Sequence, residues 1–160
     1  MTAHSKNEIA DKAIEARRAV MGLLAQSDTA AIERGLADMK LDVGFTDLRE
    51  PEIGLVMLRG RMGGTGALFN FGEATVTRAA VQLASGERGF AYVLGFDSKK
   101  ARLAAICDAL WQVPGVRQNL ERHVLQPLRE KHDARLARER ARTAATKVDF
   151  FTLVRGEDAQ

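Results

Sequence analysis

The spacing of hydrophobic and polar positions divides the chain into helical ends and a β-rich middle. Residues 7–25 carry an apolar stripe at helical spacing, which predicts a long first helix. The stripe consists of Ile9, Ala13, Ala16, Val20 and Leu24. A second short helix is predicted after Ser27 or Asp28, either of which can cap it, with Ile32 and Leu36 on one face.

The middle of the chain is typical of β-structure. The predicted strands are Leu41 to Thr46, Ile53 to Met62, a brief Leu68 to Phe71, Thr75 to Leu83, and Phe90 to Phe96. Residues 77–84 (TRAAVQLA) also fit a helical turn. The short turn before the last strand predicts a hairpin, and therefore an antiparallel sheet.

The last third of the chain predicts helices again. Asp97 or Ser98 can cap a helix whose Leu103, Ile106, Cys107 and Leu110 share a face. Pro114-Gly115 is expected to end it, and a further helix to about Thr143 is expected to kink or restart at Pro127.

The final segment, VDFFTLV at residues 148–154, is apolar on both faces of an extended chain, which indicates docking on another polypeptide. The candidate docking residues are Val148, Phe150, Phe151, Leu153 and Val154. The whole pattern predicts one α+β domain over residues 1–160. Its parts are N-terminal helices (1–40), an antiparallel sheet meander (41–96), helices (97–147) and an extended docking tail (148–160).

Composition and charge narrow the function classes. The chain has 160 residues and a single cysteine, Cys107, so it cannot form an internal disulfide. We expect a cytoplasmic protein, because neither a signal peptide nor a membrane-spanning run is recognisable. Between Arg117 and Lys147, nine basic residues face four acidic ones, so the net charge of +3 is concentrated in one helix.

That basic helix leaves nucleic-acid binding open as an alternative. Arg135, Arg138 and Arg142 form a stripe at helical spacing. A solvated face with ion pairs to Glu130, Asp133 and Glu139 explains the stripe equally well. We expect no nucleic-acid role, because no recognised RNA-binding pattern accompanies the stripe and aromatic residues for stacking are few.

A glycine-rich segment, Arg59 to Gly66, is the most pointed candidate site. Consecutive N–H groups at Gly63, Gly64, Thr65 and Gly66 can form a nest for phosphate oxygens, and Arg59 and Arg61 would share one face of a strand. A simple glycine-rich turn is the other interpretation. The lysine and helix of a nucleotide-binding P-loop do not follow the glycines.

A second candidate lies at Glu73 and Arg78, which either bind a ligand or form a structural ion pair. Cys107 is interpreted as a buried structural thiol. His4, His123 and His132 lack ligand spacing, so we expect no metal site, and an iron–sulfur cluster would need several cysteines.

Three segments together resemble the PhnG family of bacterial carbon–phosphorus lyase subunits. They are Arg61-Met62-Gly63-Gly64-Thr65-Gly66, the run from Gly72 to Val81 (GEATVTRAAV), and the ending from Val148 to Gly156 (VDFFTLVRG). The resemblance covers nearly the whole chain after the first dozen residues. It departs from the family pattern at Gly95-Phe96-Asp97, where we expect an arginine at the central position.

The resemblance implies a subunit of alpha-D-ribose 1-methylphosphonate 5-triphosphate synthase. Such a subunit assembles with PhnI-, PhnH- and PhnJ-like partners and supports displacement of adenine from ATP by an alkylphosphonate. ATP, with Mg²⁺, is then a substrate of the complex, and we expect no cofactor on this chain and no activity of the chain alone. A purely structural role in the same complex is the alternative.

Overall fold

A computed structural model describes residues 3–146, with side chains from Asp11 onward. Two helices come first, α1 (Ala3–Gln26) and α2 (Thr29–Asp38). Three strands follow, β1 (Phe45–Arg61), β2 (Leu68–Leu83) and β3 (Arg88–Leu94). The described part then continues through α3 (Ser98–Gln112), α4 (Pro114–Leu120), a π-helical turn (Glu121–Leu125) and α5 (Gln126–Ala145). The predicted α+β layout is confirmed.

The strands form an antiparallel sheet in the order β1-β2-β3. The predicted boundaries within it were wrong in three respects. The first two predicted strands are one strand, β1, which begins at Phe45 and contains Pro51. The third and fourth are also one strand, β2, so the helical interpretation of residues 77–84 is wrong. Pro51 is tolerated because β1 is an edge strand and its register shifts between Arg49 and Glu52.

The core lies between one face of the sheet and α3. Val81, Ala91 and Val93 point from the sheet into this layer. Small residues of α3, including Ala101 and Ala105, are fully buried against them. Gly89 permits the closest approach, because a Cβ there would lie 1.9 Å from the carbonyl oxygen of Ala105. The other face of the sheet carries no described helix.

The helices after α3 confirm the predicted end of α3 before Pro114 and the predicted restart at Pro127, which lies in the first turn of α5. Pro114 follows α3 and is also the first residue of α4. Its missing N–H has no cost there, because an N–H at the start of a helix has no partner within the helix. The chain then runs helically to Ala145 through the π-helical turn, which ends at Leu125, two residues before Pro127. Proline has no backbone N–H to donate, and its ring clashes with the carbonyl group four residues earlier in a regular α-helix. A π-helical turn is one way to accommodate both effects.

Candidate functional site

A long hairpin extends beyond the body of the protein. β3 pairs with β2 only between Val76 and Gln82, whereas β1 and β2 remain paired out to Arg61 and Leu68. Residues 55–75 therefore form a two-stranded ribbon, here called the arm. At about 3.3 Å per residue, it reaches roughly 20 Å past the end of β3.

The arm exposes large apolar side chains. They are Leu55, Met57, Met62, Leu68, Phe69 and Phe71, each between 42% and 78% exposed. Leu55 and Met57 lie on the face that continues the covered face of the sheet. A two-stranded ribbon is marginally stable in water by itself, and an apolar surface of this kind marks an interaction site.

The glycine-rich segment forms the turn at the tip of the arm. Gly63 has a φ of +65°, which favours glycine. A Cβ at Gly66 would lie 2.2 Å from the carbonyl oxygen of Met62, so this position also requires glycine. Arg61 Nη1 donates a 2.8 Å hydrogen bond to the carbonyl oxygen of Gly66. The turn interpretation accounts for this geometry, and Arg61 helps to hold the turn closed.

The candidate anion-binding residues are spread along the ribbon. Arg59 lies opposite Asn70 near the tip, whereas Glu73 lies opposite Met57. Arg78 is ten residues from the tip end of β2, which corresponds to roughly 33 Å along a strand. The described chain therefore brings Arg59, Arg61 and the glycine turn together, and places Arg78 elsewhere.

Arg78 is held by a structural ion pair, but its partner is Glu52 and not Glu73. Arg78 and Arg49 both bind the Glu52 carboxylate, and this holds the pKa of Glu52 below its usual value. A hydrogen bond with Tyr92, together with the Glu52 carboxylate, raises the pKa of Arg78. Arg78 and Glu52 are directly opposite across the strands, a relationship that local spacing could not reveal.

The outer face of the sheet is a second apolar surface, and sequence reasoning missed it. Phe90, Tyr92 and Leu94 alternate along β3 and are 47%, 57% and 76% exposed. The available signal was the period-two alternation within β3, which predicts one buried face and one face turned away from the core. Those outward positions carry large apolar residues where a solvated sheet face would carry polar ones.

Beside this face, a cleft of about 630 Å³ lies between α1 and β3. Its walls include Ile14, Met21, Phe90 and Tyr92, and its charged residues are Arg17 and Arg18. Arg17 is bound through Nε and Nη2 to the carboxylate of Asp108 at 2.8 and 2.7 Å. Sequence spacing gave no hint of this pair, because its members are 91 residues apart.

The remaining candidates have structural explanations or lie beyond the described part. Cys107 is fully buried, and burial raises the pKa of its thiol to about 12. Among the described side chains, residues 11–146, no cluster of three metal-ligating groups occurs. No helix in the described part of the chain is long and apolar enough to span a membrane. The candidate docking residues at 148–154 lie outside the described residues.

Comparison with known proteins agrees with the resemblance seen in the motifs. Residues 15–156 match the model of the family described as phosphonate metabolism protein PhnG. The chain is also 44% identical, over 148 residues, to the alpha-D-ribose 1-methylphosphonate 5-triphosphate synthase subunit PhnG of Rhizobium meliloti (strain 1021). That alignment covers 92% of this chain and 94% of the relative. The chain belongs to the PhnG family of phosphonate metabolism proteins.

Proposed function

We propose that this chain is a subunit of an alpha-D-ribose 1-methylphosphonate 5-triphosphate synthase. In this role it supports a reaction in which an alkylphosphonate oxygen bonds to the ribose anomeric carbon of ATP and adenine leaves. The observation that carries the proposal is the 44% identity, over almost the full length of both chains, to a protein named as a subunit of that synthase. The partners are PhnI-, PhnH- and PhnJ-like subunits.

The shape of the chain supports work inside an assembly. The arm and the outer face of the sheet both expose large apolar side chains, which another polypeptide can cover. The charged side chains that line the α1–β3 cleft are Arg17 and Arg18, and Asp108 neutralises Arg17, so the lining brings no carboxylate or imidazole to a substrate. The isolated chain is therefore expected to be inactive.

The tip of the arm is the part of this chain best suited to meet an anionic substrate. Arg59 and Arg61 lie near the glycine turn, and the turn exposes backbone N–H donors. Guanidinium and N–H groups are the donors that hold phosphate and phosphonate oxygens. Because the tip is exposed on all sides, a neighbouring subunit must supply the rest of any triphosphate or phosphonate site there.

The other candidate residues take lesser roles in this proposal. Glu73 lies opposite Met57 on the arm. There its carboxylate can orient an arginine side chain or bind the metal ion of a metal-bridged phosphate. Arg78 stays an ion-pair residue of the sheet because Glu52 already occupies its guanidinium. The tail residues 148–154 dock on the PhnI-like subunit.

Co-expression tests the proposal. The chain is produced with its PhnI-, PhnH- and PhnJ-like partners, and adenine release from ATP is measured with methylphosphonate present and absent. We expect a stable complex whose methylphosphonate-dependent adenine release requires this chain. Equal release by a complex that lacks the chain would contradict the proposal.

Three altered chains test the arm, the sheet ion pair and the tail within that assay. Arg61→Ala is expected to lower adenine release, whereas Arg78→Ala is expected to leave release in assembled complexes close to that of the unchanged protein. A truncated chain that ends at residue 147 is expected to lose co-purification with the PhnI-like subunit. If Arg61→Ala complexes assemble and release adenine at the original rate, the arm has only a structural role.

The structural alternative has one observation in its favour. The Arg61 guanidinium already donates one hydrogen bond to the carbonyl oxygen of Gly66, and this bond shapes the turn. A subunit that only binds neighbouring subunits would need a rigid turn there, and it would not need Arg61 to contact a substrate. Binding of ATP to the complex separates the two roles, because a docking arm leaves the affinity for ATP unchanged when Arg59 is replaced by alanine.

A further inference from the structure

The free edge of β3 borders the α1–β3 cleft. Gly95 N–H donates to the carbonyl oxygen of Thr75 at 2.9 Å, and these two residues continue the register that pairs Leu94 with Val76. Bonded and non-bonded pairs alternate in an antiparallel ladder. The N–H and C=O groups of Tyr92 and Leu94 therefore point away from β2.

Phe90 confirms this orientation. Its N–H also points away from β2 and donates to Asp108 Oδ2 at 2.9 Å. Asp108 thus satisfies the outward N–H of Phe90. Among the described residues, no such partner is present for the outward groups of Tyr92 and Leu94. Two residues of edge strand remain as a template for another strand.

The cleft beside that edge is shaped for a polypeptide. Ile14, Met21 and Ala25 lie on a stretch of α1 that is twelve residues long, which is about 16 Å along a helix. Phe90 and Tyr92 form the facing wall. A groove between an edge strand and a helix is the geometry in which an extended peptide adds to a sheet and places alternate side chains in the groove.

Charge favours an occupant that carries a carboxylate. Arg17 and Arg18 are the charged residues that line the cleft, and Asp108 neutralises Arg17 through an ion pair. Arg18 is exposed and has no ion pair among the described side chains. An acidic residue on the incoming segment would find this guanidinium at the groove wall.

We infer that the α1–β3 groove receives an extended, apolar segment with a carboxylate from another subunit of the synthase, as a fourth strand beside β3. The inference rests on the proposed function, since it takes the partner from the same complex. The segment hydrogen-bonds to Tyr92 and Leu94, inserts apolar side chains against Ile14 and Met21, and pairs its carboxylate with Arg18.

Amide hydrogen exchange tests the strand addition directly. Exchange at Tyr92 and Leu94 is measured at residue resolution in the full-length chain alone and in the co-expressed complex that releases adenine. We expect fast exchange in the free chain and strong protection in the complex. The Phe90 amide is the internal control, because Asp108 protects it in both states.

A charge reversal tests the groove wall. Arg18→Glu is expected to weaken association with the complex at least about tenfold, which is the loss expected for one charge-assisted hydrogen bond. Arg34→Glu on α2 is the matched control, because Arg34 is also exposed and its Nε donates only to a carbonyl of its own helix. The control is expected to associate normally.

Other outcomes overturn the inference in distinguishable ways. An active complex with unchanged Tyr92 and Leu94 exchange overturns the groove and leaves the proposed function standing. A complex that forms without methylphosphonate-dependent adenine release overturns both. If Tyr92 and Leu94 are protected in the free chain and truncation at residue 146 removes that protection, the chain's own tail occupies the groove. If their protection in the free chain rises with protein concentration, a second copy of the chain occupies it.

Discussion

Arg17 and Asp108 form a two-bond ion pair that joins α1 to α3. The carboxylate of Asp108 is fully buried, and it accepts from Arg17 Nε at 2.8 Å and Nη2 at 2.7 Å. It also accepts from the N–H of Phe90, so a single carboxylate connects α1, α3 and β3. This pairing fixes the groove, because α1 and β3 are its two walls.

Arg17→Ala is therefore expected to destabilise the chain by about 3 kcal/mol. Removing one partner of a buried pair costs about 3–5 kcal/mol, and the lower end applies because the Arg17 side chain is one-third exposed. Chemical denaturation measured by circular dichroism checks the value. Arg18→Ala is the control, with an expected change below about 0.5 kcal/mol. Equal effects of the two variants would show that the pair contributes nothing.

Asp97 should give stability a measurable pH dependence. It is the N-cap of α3, accepting from Lys100 N–H at 2.8 Å and from the Thr29 hydroxyl at 2.5 Å. The hydrogen bond from Thr29, followed by that from Lys100, lowers the pKa of Asp97. A carboxylate with a depressed folded pKa stabilises the fold above its unfolded pKa, about 3.9, and that contribution is lost as pH falls through the folded pKa.

Asp97→Ala accordingly costs about 1 kcal/mol at pH 7, the usual loss for an N-cap aspartate. Unfolding curves at pH 7 and at pH 3 should differ less for the variant than for the unchanged protein. Thr29→Val keeps the Lys100 bond and should give an intermediate pH dependence. A variant with the same pH dependence as the unchanged protein would rule out this role for Asp97.

The sequence predicted the elements whose signals are local. Of the two candidates predicted for each cap, Asp97 caps α3 through its side chain, and Asp28 occupies the N-cap position of α2 without a side-chain cap hydrogen bond. Strand boundaries were less predictable, because Pro51 and the glycines suggested interruptions. Edge position lets β1 run through Pro51, and edge position is a property of the sheet and not of the segment.

The site was less predictable than the fold for the same reason. The pattern at Ile53, Leu55 and Met57 indicates a strand with one apolar face, and such a face is normally buried. Whether the rest of the protein covers this face depends on where β3 ends, and the spacing of residues within β1 does not determine that end. Likewise, Arg78 pairs with Glu52, although Glu73 is closer to it in the sequence. The cross-strand register, and not the sequence distance, decides which charges meet.

Gly89→Ala is expected to be among the most damaging single-methyl changes. The added Cβ would lie 1.9 Å from the carbonyl oxygen of Ala105 and 2.6 Å from the backbone nitrogen of Ala109, so α3 must move away from β3. Overpacking of this kind costs about 1–3 kcal/mol or more. Gly54→Ala is the matched control, because a Cβ there meets nothing within 4 Å. Thermal unfolding of both variants measures the difference.

Cys107 should resist thiol reagents while the protein is folded. Burial raises the pKa of its thiol to about 12, so at pH 8 only about one molecule in ten thousand carries the reactive thiolate. Labelling by iodoacetamide, followed by mass spectrometry, should be slow in buffer and fast in denaturant. Rapid labelling of the folded chain would mean that α3 opens readily, in conflict with its buried position.

The arm makes the most direct prediction about assembly. Leu55 and Met57 are 63% and 57% exposed, so replacing both by threonine removes apolar surface without opening a cavity. Threonine also favours strands, and the free energy of unfolding should change by less than about 0.5 kcal/mol. Co-purification with the partner subunits should nevertheless be lost, and the free variant should aggregate less during size-exclusion chromatography.

Leu41→Thr is the control for that double variant. Leu41 precedes β1 and is 41% exposed, so its replacement also removes exposed apolar surface, from one side chain that lies away from the arm. Its complex should co-purify normally. If the double variant also assembles normally, partner subunits do not cover this face of the arm, and its apolar side chains need another explanation. A folded but unassembled double variant separates docking from folding, because only the contact between chains has then been removed.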